Sequence, residues 1–269
     1  MSAAMATRAC PMCHASESLP HLTLCRDRTR FEIVRCARCR FVFVSNPQGE
    51  TFEATQTAPA AVPQKGRHRQ IKRICDRVLS PARGGCRIVE IGAGWGGLAQ
   101  TFATDARYRY VGFEPSAARA GFCRAHGFNV REHLFRGPDS LDGPVDAVVI
   151  DNVLEHVMDP DELLTAAVAA LRAGGLLVVI VPNVHDVRQL QPHWRKRHHW
   201  QPHCHINYFS ADDLGRLFER HGLRLRFFGR QAVGALRDDL AFLPRMLADA
   251  VGLHVLGLNV YGVKRDGGA

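Results

Sequence analysis

No run in the sequence approaches the roughly 18 consecutive apolar residues that a membrane-crossing helix needs. The opening MSAAMATRAC also lacks the apolar segment of a secretory signal, so the expected location is the cytoplasm. No internal repeat is apparent. Acidic residues are the scarcer charge: 26 Asp and Glu stand against 35 Lys and Arg, a formal charge of +9. Basic runs at 65–73 and 195–199 make an anionic partner conceivable, although such a run is ordinarily a solvated face. Of the 269 residues 46% are hydrophobic and 23% charged, enough for one core of about 200 residues plus an appendage.

Nine cysteines in a reducing compartment do not read as a disulfide framework, because four of them form two close pairs. CPMC places Cys10 with Cys13 and CARC places Cys36 with Cys39, on either side of a 22-residue insert. Each C-x-x-C turn brings two thiolates to one ion, and two turns complete a tetrahedral Zn²⁺ site. The β-rich segments FEIVRC and RFVFV need such a staple, since so small a unit buries little on its own. Redox and iron–sulfur chemistry fit less well: neither pair lies in a βαβ context, and a closed four-sulfur set has no open position. Cys25 is a bystander, and His14 and Arg40 stand where glycines often follow such pairs. Residues 1–46 therefore read as a zinc-ribbon-like β module with structural zinc. Residues 47–66, rich in Pro, Thr, Ala and Gln, read as a linker or mobile cover, and 67–269 as the main domain.

In that domain Ile71, Ile74, Cys75 and Val78 follow helical spacing, ended by Pro81, Gly84 and Gly85. Apolar strands at 87–94, 109–115, 128–134, 146–152 and 176–183 alternate with helices. The helix from Asp159 has an N-cap, Pro160 at its first position, Glu162 three residues after the cap and Gly174 as a stop signal. A helix over 211–222, a strand over 223–228, a helix-like stretch over 236–252 and a strand over 257–265 complete the series. Buried strands alternating with helices indicate a doubly wound α/β sheet, mostly parallel, whose crevice lies at the C-terminal strand ends.

VEIGAGWGG sets Gly92, Gly94, Gly96 and Gly97 at a strand-to-helix turn, where a ligand can approach the backbone. Glu114, 22 residues after Gly92, is placed to accept hydrogen bonds from ribose hydroxyls. Gly92, Gly94 and Gly97 also satisfy G-x-G-x-x-G, which suits NAD, but Glu90 just before them would repel a pyrophosphate and attract a cationic amino-acid moiety. The order of this turn, GFEP, DNVLEHV and LRAGGLLVVIVPN resembles class I S-adenosylmethionine-dependent methyltransferases. The resemblance implies a Rossmann-like seven-stranded sheet. It further implies that Glu90, Gly92, Ala93 and Gly94 contact the methionine part, Glu114 the ribose, and Phe113 and Pro115 the adenine. Asn152, within 151–156, would pass over the sulfonium. After the third strand, REHLF offers Glu132 and His133 for the adenine without the family's usual pattern.

The cysteine pairs, the linker, this core and the later HINYFS together resemble bacterial methyltransferases of sugar, polysaccharide and natural-product pathways. The resemblance extends to zinc-bearing C-methyltransferases of deoxysugars, in which a Glu-His pair precedes Tyr-Phe-Ser. Here His205, Tyr208, Phe209 and Ser210 match, while Cys204 replaces the Glu that would raise and orient the imidazole. The chain also ends soon after the core. A small-molecule or sugar acceptor is therefore expected, anionic acceptors included, with O-methylation preferred over C- or N-methylation. His205 is the leading base and His203 the second, both facing one side if the segment is extended. His156 and Tyr208 complete the candidate catalytic set. His203, Cys204 and His205 are too close in sequence to converge on a second metal ion, and His198 and His199 are expected to be solvated or in contact with an anionic acceptor. Three rival classes fit parts of the pattern. An RNA methyltransferase is suggested by the zinc module and the charge and opposed by dispersed basic residues; the others are a non-enzymatic partner protein and an NAD-dependent oxidoreductase.

Overall fold

The computed structural model describes residues 8–26, 28–48, 57–80, 85–195, 199–228 and 257–265. The N-terminal hairpin pairs β1 (Ser18–Arg26) with β2 (Thr29–Cys36), and β3 (Val42–Val44) extends it on the other side of β2. Alternation along β2 gives this sheet two apolar faces. Phe31 and Ile33 pack with Val42, Val44 and Trp200, whereas Val34 and Cys36 join Phe41 and Phe43 in the principal core. The fourth strand, β9 (Asn207–Tyr208), comes from the main domain, with Val42 opposite Tyr208 and Phe43 opposite Asn207. Phe41 also meets Phe209 at 5.2 Å between ring centroids. The cysteine module thus shares a sheet and a core with the domain that follows it.

Cys10 Sγ lies 3.5 Å from Cys39 Sγ and Cys13 Sγ 3.5 Å from Cys36 Sγ, and all four sulfurs lie within 4.8 Å of one another. A tetrahedral ion with Zn–S bonds of about 2.3 Å has sulfur–sulfur edges of roughly 3.8 Å, so the four cysteines fit one. His14 (φ 57°) and Arg40 (φ 69°) take the left-handed conformation that glycine adopts without strain. Because Arg40 is exposed, Arg40→Gly should stabilise the chain by about 0.5–1 kcal/mol. A thermal melt of the zinc-loaded protein checks this, and an unchanged or lowered midpoint would count against strain at that position.

The large sheet has seven strands in the order β10-β11-β8-β7-β4-β5-β6. In chain order these are β4 (Cys86–Ile91), β5 (Tyr108–Phe113), β6 (Val130–Arg131), β7 (Val145–Asp151), β8 (Leu171–Val181), β10 (Arg226–Phe227) and β11 (Leu258–Val263). All neighbours run parallel except β11, which is antiparallel to both β8 and β10. Period-two alternation again divides the core. Ile88, Ala147, Val149, Leu176 and Val178 face Ile71 and Ile74 of α1 (Gly66–Leu79) and Leu98 and Phe102 of α2 (Gly97–Ala103). Val89, Val148, Ile150, Leu177 and Val179 face α4 (Pro160–Ala170) and α6 (Ala211–Arg220). Helix α3 (Ala117–Ala125) packs Ala120 and Cys123 against Ala93 and Val130, and a short turn, α5 (Pro192–Trp194), precedes the histidine-rich segment.

Several boundaries differ from the sequence expectation. Asp159 caps α4 by accepting from the Asp161 and Glu162 amides, but the chain enters β8 directly at Leu171. Gly174 (φ 71°) therefore stops no helix; it lies within β8, its amide donating to the Lys264 carbonyl at 2.9 Å. The strands expected over 128–134 and 223–228 shrink to two residues each, at the two edges of the sheet. Pro81, Gly84 and the helix-like stretch 236–252 lie outside the described residues.

Candidate functional site

Strand β4 has β5 on one side and β7 on the other, so the chain reverses its direction of winding there and leaves a crevice at the carboxyl ends. A cavity of about 520 Å³ occupies it, within the size range of small-ligand pockets. Its floor is the glycine turn. Gly92 (φ 79°) follows β4, and a Cβ there would lie 2.4 Å from Val153 Cγ2. Gly94 (φ 54°) has no neighbouring heavy atom within 4 Å of that position, leaving its backbone open to the cavity. Gly97 is small for another reason: its Cβ would meet Pro63 O and His68 Cε1, both at 2.4 Å, where the segment leading into α1 crosses the turn. Gly92→Ala should cost about 2–4 kcal/mol through left-handed strain and overlap with Val153, read in a denaturant melt.

The carboxylates of Glu90, Glu114 and Asp151 line the cavity together with the cationic side chains of Lys65, Arg67 and Arg119. Glu114, 3% exposed, accepts the Gly94 amide on Oε2 at 2.8 Å and the Ser116 amide on Oε1 at 3.0 Å. Each carboxylate oxygen keeps a second lone pair for a ligand. Glu90 is equally buried and accepts the Tyr110 hydroxyl proton. Its pKa is raised well above the ordinary carboxylate range, first by burial and then by the charges of Asp151 and Glu114, with the Tyr110 bond opposing. Asp151 accepts Arg67 Nε at 2.7 Å on Oδ2, while its buried Oδ1 has no hydrogen-bond partner. Phe113, Pro115, His133, Leu134 and Phe135 form an apolar wall beside Glu114, with Phe113 and Phe135 edge to face at 5.1 Å. His133 lines the cavity, but Glu132 points away to Arg124, at 2.7 Å.

The opposite end is built from two segments far apart in sequence. Asn152 (φ 54°), Glu155 and His156 follow β7, and His205 enters from the turn before β9. Asn207 fastens the two together: its side-chain amide donates to the Leu154 and Val157 carbonyls at 2.9 and 2.8 Å. His156 Nδ1 donates to the Cys204 carbonyl at 2.8 Å, and the His156 and His205 rings lie 4.9 Å apart. Burial, then His156, pushes the His205 pKa down to about 3, and burial pushes Glu155 up to about 8.

Of the sixteen residues assigned from the sequence to catalysis, cofactor or metal, the four cysteines meet in the N-terminal module. Glu90, Gly92, Ala93, Gly94, Phe113, Glu114, Pro115, Asn152, His156 and His205 all line the cavity. His203 and Tyr208 do not. The segment is a turn rather than an extended strand, with the Cys204 and His205 amides both donating to the Gln201 carbonyl, so His203 is exposed while His205 faces inward. Tyr208 sits in the apolar cluster with Phe31 and Trp200, its hydroxyl buried without a partner. His199 is not solvated: it is 6% exposed, packed against Trp200 at 4.6 Å, and burial lowers its pKa to about 4. His198 lies outside the described residues. Arg67, His68 and Glu155 line the cavity without having been singled out. Arg67 and His68 lie in the basic run 65–73, and Glu155 stands beside His156.

A family model described as a methyltransferase domain matches residues 64–226, more than half of the chain and every residue lining this cavity except Pro63. The chain belongs to this methyltransferase domain family. An uncharacterized methyltransferase of Mycobacterium sp. (strain JLS) is 36% identical over 106 residues, covering 36% of this chain. The match spans 38% of that relative's length. A SAM-dependent methyltransferase from Archaeoglobus fulgidus superposes with a TM-score of 0.52 at 18% identity, over 73% of this chain and 94% of that one. The plantazolicin methyltransferase BpumL in complex with SAH gives 0.53 at 12% identity, over 74% and 82%. These structural likenesses establish the fold: a class I, Rossmann-like sheet with an added cysteine module. Among the described residues no helix is long and apolar enough to cross a membrane.

Proposed function

We propose that the protein transfers the methyl group of S-adenosylmethionine to a small-molecule or sugar acceptor, a hydroxyl oxygen being preferred. The observation that carries this is the wall of Glu90, Glu114 and Asp151 around an open glycine turn. Glu114, with Glu90 and Asp151 behind it, favours a ligand with a sulfonium and an ammonium group over the pyrophosphate of a dinucleotide, with Arg67 offsetting Asp151 and burial disfavouring the charged form of Glu90. In this arrangement Gly92, Ala93 and Gly94, with Glu90 beneath, receive the methionine part. Glu114 receives the ribose hydroxyls, Phe113 and Pro115 flank the adenine, and Asn152 passes over the sulfonium. The cofactor supplies an electrophilic methyl. The chain holds the acceptor oxygen about 3 Å from it, in line with the breaking C–S bond. The acceptor's proton leaves at the corner of Glu155, His156 and His205, with His205 as the candidate base. The four N-terminal thiolates hold a structural Zn²⁺ that keeps β1 to β3 folded against β9.

Incubation with labelled S-adenosylmethionine and pools of sugars, small phenols and RNA tests the reading. Transfer to a sugar or phenol is expected. His205→Ala should lower turnover by about 10²-fold or more while leaving S-adenosylhomocysteine binding intact. Label in RNA, with affinity falling steeply in salt, would move the acceptor to nucleic acid.

A further inference from the structure

Glu155 is 1% exposed, lines the cavity, and neither of its carboxylate oxygens has a hydrogen-bond partner. Among the described residues no Lys or Arg forms an ion pair with it; its nearest opposite partner is His156 Nε2, at 3.9 Å. Burying a carboxylate without a partner costs several kcal/mol, and a protonated Glu155 would have its nearest imidazole acceptor, His156 Nε2, still 3.9 Å away. A cation removes both difficulties. The neighbours are suited to hold one. His156 Nδ1 is committed to the Cys204 carbonyl, which selects the tautomer with its lone pair on Nε2 and fixes the ring, as an outer partner does for a metal-bound histidine. The ligand atoms of Glu155, His156 and His205 all lie within 4.8 Å of one another. Bonds of about 2.0–2.2 Å bring such atoms to roughly 3–3.4 Å, a contraction that small side-chain rotations supply.

We propose that Glu155, His156 and His205 form a divalent transition-metal site, distinct from the cysteine site, that binds the acceptor's oxygen. Two imidazoles and one carboxylate suit Zn²⁺, Mn²⁺, Fe²⁺ or Co²⁺ and leave coordination positions open toward the cavity. The short separation of His203, Cys204 and His205 still forbids those three from sharing an ion; the second and third ligands come from the loop after β7. The site deepens the methyl-transfer reading and rests on it for the acceptor. With the ion bound, His205 is a ligand rather than the base, and the ion lowers the pKa of the bound hydroxyl. The proton passes to solvent, the oxygen takes the methyl, and the sulfur keeps the electron pair of the broken bond.

The full chain is loaded with Zn²⁺, dialysed against Co²⁺ or Mn²⁺, and its metal content measured. About two ions per chain are expected, falling to about one in Glu155→Gln and, independently, in His156→Gln. Bound Co²⁺ should add weak visible bands without thiolate charge transfer, marking nitrogen and oxygen ligands rather than the cysteines. One ion per chain in the wild type, or a second ion retained in both variants, would overturn the site. Loss of turnover in His205→Ala with a single ion present throughout would leave His205 as a base and likewise overturn it. A second ion that binds as expected in a chain with no affinity for S-adenosylhomocysteine would support the site while removing the methyl-transfer reading.

Discussion

Glu114→Gln should weaken S-adenosylmethionine binding by about 10²-fold or more, with little loss of fold. The carboxylate is the only group in the wall whose two oxygens are both pinned by backbone amides, from Gly94 and Ser116, and both still able to accept from a ribose diol. Hydrogen bonds to a charged acceptor contribute about 1.5–3 kcal/mol each, and the amide variant loses the charge and turns one acceptor into a donor aimed at another donor. The Gly94 turn shifts with it, since that amide loses its partner or meets an NH₂ group. Calorimetric titration with S-adenosylhomocysteine reads the effect, and a far-ultraviolet spectrum reports the fold. An affinity within about threefold of wild type would remove Glu114 from the cofactor site.

The second large effect is expected far from the cavity. Cys36→Ser, or removal of zinc by a chelator, should destabilise the protein by more than about 5 kcal/mol, because metal binding to a four-cysteine site is itself folding free energy. The damage should reach the acceptor end. Phe43 pairs with Asn207 and Phe41 packs on Phe209, and Asn207 in turn ties the loop bearing Glu155 and His156 to the turn bearing His205. Turnover should therefore fall by at least about tenfold at temperatures where the variant remains folded. S-adenosylhomocysteine binding at Glu114, on the opposite side of the cavity, should stay within a fewfold. Equal loss of both activities would mean that the module supports the whole domain rather than the acceptor corner. An unchanged melting midpoint after zinc removal would show that the cysteines do not staple the module.

What was legible in the sequence depended on how local the cause was. The Asp159 cap, the Gly92 turn and the two C-x-x-C knuckles are decided within a few residues, and the structure has each of them. Period-two alternation in β4, β7 and β8 likewise marks both buried faces without outside help. The misplaced features all depend on distant partners. β9 pairs with a strand 160 or more residues earlier in the chain, which gives Tyr208 an apolar neighbourhood that its motif does not foretell. His199 looks solvated in RKRHHW and is buried because Trp194 and Trp200 close over it. Glu155 is a plain neighbour of His156 in the sequence, because the group that gives it meaning, His205, is fifty positions away and brought near by tertiary contacts. Asp151 and Arg67 are separated still further, by 84 positions.

The central claim is that the acid-lined crevice holds S-adenosylmethionine, and parallel calorimetric titrations with S-adenosylmethionine and NAD test it most directly. One molecule of S-adenosylmethionine per chain should bind at micromolar concentration, NAD should not bind, and Glu114→Gln should weaken the binding by about 10²-fold or more. No heat with S-adenosylmethionine in a folded, zinc-loaded chain, or tighter binding of NAD, would contradict it.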